Sequence, residues 1–121
     1  MKYMLLIYLE ENCLNDVERA HCYVESAQLA QRLHANGQFL ATAPLQPVAL
    51  TKSVQMRNGN RFITDGPFAE TREQLGGFFL IEAKDLDEAI EVAGQIPGAR
   101  VGTVEIRPII ELPGLPQRQT N

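Results

Sequence analysis

The sequence predicts an α+β fold of the ferredoxin-like type, βαββαβ with an inserted β-hairpin, paired with a second copy sheet against sheet. Three observations carry this. Two strand–helix–strand units follow one another, each helix opened by a capping signal and closed by a breaker. An Asn-Gly pair, Asn58-Gly59, divides two strand-like runs between those units. Two of the strands are apolar at successive positions, so both faces of the sheet are apolar, yet only two helices exist to cover them.

The first strand is the apolar run Tyr3 to Leu9, too short for a helix and followed by the polar loop Glu10 to Asn15. Asn15 or Asp16 caps the first helix, and Asn15 with Glu18 has capping-box spacing. That helix is expected from about Asp16 to Asn36, ended by Gly37 in a left-handed conformation. Glu18, His21, Glu25, Gln28 and Arg32 form its polar stripe, and Ala20, Val24, Ala27, Leu29, Ala30 and Leu33 are read as its apolar side. Gln38 to Ala43 is the second strand, broken by Pro44 and Pro47. The hairpin strands are Lys52 to Arg57 and Arg61 to Asp65. Gly66 to Gly76 reads as a polar loop or one helical turn, and Gly77 to Ala83 as a strand. Asp85 caps the second helix, with Glu88 at the capping-box position and Leu86, Ala89, Ile90 and Ala93 as the expected buried stripe. Pro97-Gly98 stops it, and Thr103 to Ile110 is the last strand. There Val104 and Ile106 face one side, and Thr103, Glu105 and Arg107 the other.

A chain of 121 residues makes one domain, read as 1–112, followed by a proline-containing tail, 113–121, that frays or crosses to a neighbouring subunit. Two helices leave one sheet face bare, and a second copy packed sheet against sheet is the economical cover. A homodimer is therefore expected, with a cleft between the sheets or at their ends. The 11 Lys+Arg against 15 Asp+Glu, net −4, argue against direct nucleic-acid binding. No apolar run reaches the length of a membrane span, and the opening Met1 to Leu9 is too short for a signal peptide. Cys13 and Cys22 read as reduced thiols, which makes a cytoplasmic location the expectation. With His21 and His34 they give no metal-ligand spacing, and no phosphate loop, dinucleotide fingerprint or nucleophile elbow is present, so no metal or cofactor is expected.

The run Asp65-Gly66-Pro67-Phe68-Ala69-Glu70-Thr71-Arg72-Glu73-Gln74-Leu75-Gly76-Gly77-Phe78 resembles the signature of the DGPF-domain branch of YCII-related proteins. Met1 to Tyr8, Asp85-Leu86-Asp87-Glu88-Ala89 and Val104-Glu105-Ile106-Arg107-Pro108 are similar to the family's opening strand, second helix and closing strand. The resemblance implies a dimeric α/β-barrel fold, shared with antibiotic-biosynthesis monooxygenases and muconolactone isomerases. Some members carry a His–Asp pair proposed as catalytic, the His lying on the first helix. Glu25 or Ser26 stands at that place here, with His21 one turn earlier. DGPF-type segments also occur beside or fused to extracytoplasmic-function sigma factors, which implies a regulatory link.

Several side chains have both a structural and a functional reading. Asp65-Gly66-Pro67 is ordinary turn chemistry, or it holds the Asp65 carboxylate in a cleft for proton transfer. Glu70, Arg72 and Glu73 are an exposed charge cluster, or Glu70, Thr71 and Arg72 line the cleft mouth and Arg72 binds an anion. Glu105 and Arg107 share a strand face as an ion pair, or they orient a polar ligand. His21 is a solvated helix residue, or the second proton-transfer group. The function expected is binding of a small organic, anionic ligand, with cofactor-independent acid–base chemistry at Asp65 and His21. The alternative is a non-catalytic sensor or interaction module linked to a sigma factor.

Overall fold

A computed structural model describes residues 1–116 of the chain. The end of the tail, residues 117–121, lies outside the described residues, and so does most of the expectation about it. In chain order the elements are β1 (Lys2–Leu9), α1 (Asp16–Ala35), β2 (Phe39–Pro44), β3 (Lys52–Arg57), β4 (Asn60–Asp65), β5 (Gln74–Glu82), α2 (Leu86–Gln95) and β6 (Thr103–Pro108). Short 3₁₀ turns occupy Val48–Leu50 and Pro97–Arg100.

The four-stranded sheet has the order β2-β5-β1-β6, with every neighbouring pair antiparallel. This α+β arrangement is compatible with the ferredoxin-like fold. β3 and β4 pair only with each other, as a separate two-stranded hairpin. Its turn is Asn58-Gly59, with φ of 51° and 79°, the positive values a two-residue hairpin turn requires.

Local signals set the helix ends. The Asn15 side chain accepts from the Glu18 amide at 2.8 Å, and the Glu18 carboxylate accepts from the Asn15 amide at 2.9 Å. This reciprocal box satisfies two amide donors that the helix itself leaves unpaired. Asp85 caps α2 by accepting from the Glu88 amide at 2.9 Å. Gly37 follows α1 at φ 73°.

Both helices cover the same sheet face. Tyr3 and Leu5 of β1 and Phe79 and Ile81 of β5 pack with Leu29 and Leu33 of α1 and with Ala89, Val92, Ala93 and Ile96 from the α2 region. Each of the larger aliphatic and aromatic side chains contributes about 1.5–3 kcal/mol by leaving water. The alternate positions Met4, Leu6, Phe78 and Leu80 point to the other face, where they are directly paired across β1 and β5 and only half-buried.

Several boundaries and stripes depart from the sequence expectation, among them β2, which takes in Pro44 as its last residue. β5 starts at Gln74, three residues early, because its pairing with β1 resumes beyond a bulge at Ile7/Tyr8. β6 ends at Pro108, two residues short of Ile110. On α2 the buried positions are Ala89, Val92 and Ala93, while Leu86 and Ile90 are exposed. Ile90 is turned about 100° from Ala89, and Leu86 sits in the first turn at the margin of the packed face. On α1 only Leu29 and Leu33 are buried, and Val24 is exposed. Ala20 lies nine positions from Leu29, about two and a half turns, and so falls on the opposite side.

Candidate functional site

Running the phase of Leu29 and Leu33 backwards along α1 places Ser26, Cys22 and Arg19 over the sheet. None of these is a large apolar side chain. The amino-terminal half of the helix therefore stands off the sheet, and a cleft of about 810 Å³ opens beneath it. Ile7 and Leu9 of β1 and Gly76, Gly77 and Phe79 of β5 form its floor. Ile96-Pro97-Gly98 and the segment Pro44 to Pro47 complete its lining. Gly77 keeps the floor low, since a Cβ there would press on the Ala43 carbonyl oxygen at 3.0 Å.

The polar groups around the cleft fall into two sets. Some are already committed. The Arg19 guanidinium is paired with Asp16 and donates to the carbonyls of Glu11 and Leu14. Thr42 donates to the Phe78 carbonyl at 2.7 Å, and Glu11 accepts from the Val48 amide at 2.8 Å, which ties the loop after β1 to the Pro44–Leu50 segment. The hydroxyls of Tyr23 and Ser26 make no hydrogen bond with any described residue and are free to meet a ligand. Burial pushes the Cys22 thiol above its ordinary pKa, with Glu25 adding to the rise and Arg100 opposing it. Cys22 is thus a neutral, packed thiol and not an activated nucleophile.

A shallower groove of about 420 Å³ lies on the outer flank of α1, against Pro97, Arg100 and Val101. Glu25 and Arg100 form an ion pair across it at 2.9 Å. The hydrogen bond from Arg100 holds the Glu25 carboxyl below its ordinary range. His21 lines this groove, exposed, one turn from Glu25. Neighbouring positions of α1 thus diverge: Ser26 lines the deep cleft and Glu25 the outer groove.

The remaining sequence candidates do not line the deep cleft. Asp65 ends β4, strongly exposed, and is paired with Lys52 across the base of the hairpin. Asp65 does not line the cleft beneath α1, because β4 belongs to the separate hairpin and not to the main sheet. Arg72 is 88% exposed and paired with Glu10 at 2.5 Å. Thr71 donates to the Glu73 carbonyl at 2.5 Å, while Glu70 is exposed. Glu73 accepts from the Thr103 hydroxyl at 2.9 Å. Arg72 and Glu73 thereby latch the loop after the hairpin to the ends of β1 and β6. Glu105 and Arg107 form a same-face ion pair at 2.8 Å on the open side of the sheet. The side chains sequence reasoning missed are Tyr23, Thr42 and Arg19; the helical phase of Leu29 and Leu33 was the signal that reaches Arg19 and its neighbour Tyr23.

Both cysteines are free, Cys13 exposed and Cys22 partly buried. Among the described residues no cluster of His, Cys, Asp and Glu has the geometry to hold a metal ion, and no helix is long and apolar enough to cross a membrane.

A model of the YCII-related domain matches residues 1–113. The chain belongs to the YCII-related family. An uncharacterised protein of Rhizobium meliloti (strain 1021) is 32% identical over 114 residues, covering 90% of this chain and 92% of that protein. A YCII-related chain of this kind therefore has a relative of nearly the same extent, which supports membership and carries no activity with it.

Proposed function

We propose that this YCII-related protein binds a small organic molecule in the cleft under the amino-terminal half of α1. The carrying observation is the cleft itself: about 810 Å³, floored by Ile7, Leu9 and Phe79, with the free hydroxyls of Tyr23 and Ser26 at its edge. Apolar walls with a few polar groups are the usual make-up of a small-molecule site. The ligand this supports has an apolar body and one polar end that accepts or donates at those hydroxyls. Asp65 and His21 stand outside this cleft, so binding there uses neither group. The run from Asp65 to Phe78 supports assignment to the DGPF-type branch.

The working unit is a homodimer formed through the open sheet face. Met4, Leu6, Phe78 and Leu80 make an apolar patch there with no helix over it among the described residues, and a second copy of the same surface covers it by two-fold symmetry.

The ligand claim is tested by thermal shift against a chemically diverse library. A ligand at a hundredfold excess over its Kd adds about 2.7 kcal/mol of stability. Ser26→Phe fills the cleft and abolishes the shift, with circular dichroism unchanged. A shift of equal size in Ser26→Phe moves the site elsewhere. For the dimer, sedimentation of the full chain at micromolar concentration returns twice the monomer mass; the monomer mass at 100-fold higher concentration refutes it.

A further inference from the structure

We propose that the ligand of the cleft under α1 is an amphipathic monocarboxylate. Its carboxylate is held by Arg19 and Tyr23, and its apolar body lies on the cleft floor. This rests on the ligand-binding reading above and adds the chemical class of the ligand.

Few charges reach the cleft. Among the described residues that line it, Arg19 is the one cation and Glu11 the one anion. The Glu11 carboxylate is engaged, accepting from the Val48 amide at 2.8 Å. Arg19 is held more loosely. A guanidinium has five N–H donors. On Arg19, Nη1 donates to Asp16 at 3.2 Å, and Nη2 to the carbonyls of Glu11 and Leu14 at 3.4 and 3.3 Å. These distances lie at or beyond the long end of the N–H···O range. Asp16 is fully exposed, so its pair with Arg19 adds little, and the other two acceptors are neutral. A carboxylate entering beside Arg19 makes shorter, charge-assisted bonds, and the apolar walls strengthen them.

The helix supplies the second contact. Tyr23 stands one turn after Arg19, and side chains at that spacing are neighbours. Its hydroxyl makes no bond with any described residue and is placed to donate to the second carboxylate oxygen. Ser26 follows about 10.5 Å along the axis from Arg19.

Exposure runs the same way. Glu11 and Asn12, beside Arg19, are exposed. Phe79 and Ile96, which pack with Leu29 and Leu33 beyond Ser26, are each 1% exposed. The cleft thus passes from a charged mouth to an apolar interior, the polarity of an aliphatic or aromatic acid. One cation with Glu11 close by suits a single negative charge. A phosphate monoester would bring a second charge and find no partner for it.

The test titrates the full chain at neutral pH with four probes that share one apolar body: octanoate, octan-1-ol, octylammonium and octyl phosphate. Octanoate binds at least about tenfold more tightly than each of the others, the weight of one hydrogen bond to a charged group. Arg19→Gln removes the preference and brings octanoate within about twofold of octan-1-ol. Arg19→Lys, which keeps the charge and loses the planar fork, retains part of it. If circular dichroism shows Arg19→Gln unfolded, Asp16→Asn decides. It frees Arg19 from its exposed partner and raises octanoate affinity; unchanged or weaker binding overturns the proposal. Equal binding of octanoate and octan-1-ol, a preference that persists in Arg19→Gln, or tighter binding of octyl phosphate or octylammonium overturns the carboxylate. The cleft reading survives any of these if Ser26→Phe still abolishes octan-1-ol binding. Octanoate binding undiminished in Ser26→Phe, or binding of none of the four probes, removes the cleft reading and this inference with it.

Discussion

The two halves of α1 are one continuous helix with opposite relations to the sheet. The carboxyl-terminal half buries Leu29 and Leu33 to 1% and 2% exposure and anchors the core. The amino-terminal half presents Arg19, Cys22 and Ser26 along the same phase and holds a cleft open. One half is stabilised by tertiary packing; the other is stabilised by its own capping box and by the rigidity of the helix it continues. A cleft can thus be opened by letting a helix keep its direction after its apolar residues run out.

The contrast can be broken from the packed end first. Leu33→Ala removes a fully buried side chain and lowers unfolding free energy by about 2–5 kcal/mol. Urea denaturation measures it, and a loss under 1 kcal/mol would mean that the helix is not anchored there. Asn15→Ala acts at the other end. It removes one partner of the capping box and costs about 1 kcal/mol. Hydrogen exchange should then speed up in the first turns of α1 and stay unchanged around Leu29 and Leu33. Uniform acceleration along the helix would show that the halves are not independent.

Ser26→Phe sharpens the same comparison. It places an apolar side chain in open space, so stability changes by less than about 1 kcal/mol while ligand-induced stabilisation disappears. The smallest effect belongs to Glu25 and Arg100. Arg100 depresses the Glu25 carboxyl, so the folded state holds that proton less tightly than the unfolded chain does. The contribution is therefore complete at neutral pH and above the unfolded value. It is lost as pH falls through the depressed folded value. Glu25→Gln should flatten the acid limb of the stability profile slightly, and added salt should do the same, because both groups are exposed. An acid limb identical in both proteins would mean that the pair is absent in solution.

Local chemistry was legible wherever a few neighbouring residues decide the outcome. Asn15 with Glu18, Gly37 after α1, Asp85 before α2 and Asn58-Gly59 all behave as their side chains and φ preferences require. The unbroken apolar runs of β1 and β5 likewise marked both faces of the sheet as apolar. Misreading began where hydrophobicity was judged without phase. Val24 is apolar but points to solvent, and Ile90 is exposed while the smaller Ala89 beside it is buried. Asp65 and Arg72 were legible as a turn and a charge cluster. Their ion pairs with Lys52 and Glu10 depend on where the hairpin projects, which no local pattern encodes.

By itself, then, the sequence determined the elements, their order, the helix starts, the turn of the hairpin and the family. These follow from backbone preferences and side-chain periods that act over a few residues. Tertiary structure alone decided that α1 leaves the sheet halfway along its length, that Ser26 and Tyr23 border the cleft, and that the hairpin stands clear of its own core. Those outcomes depend on the relative placement of elements distant in the chain, and packing fixes that placement only once the whole sheet has formed.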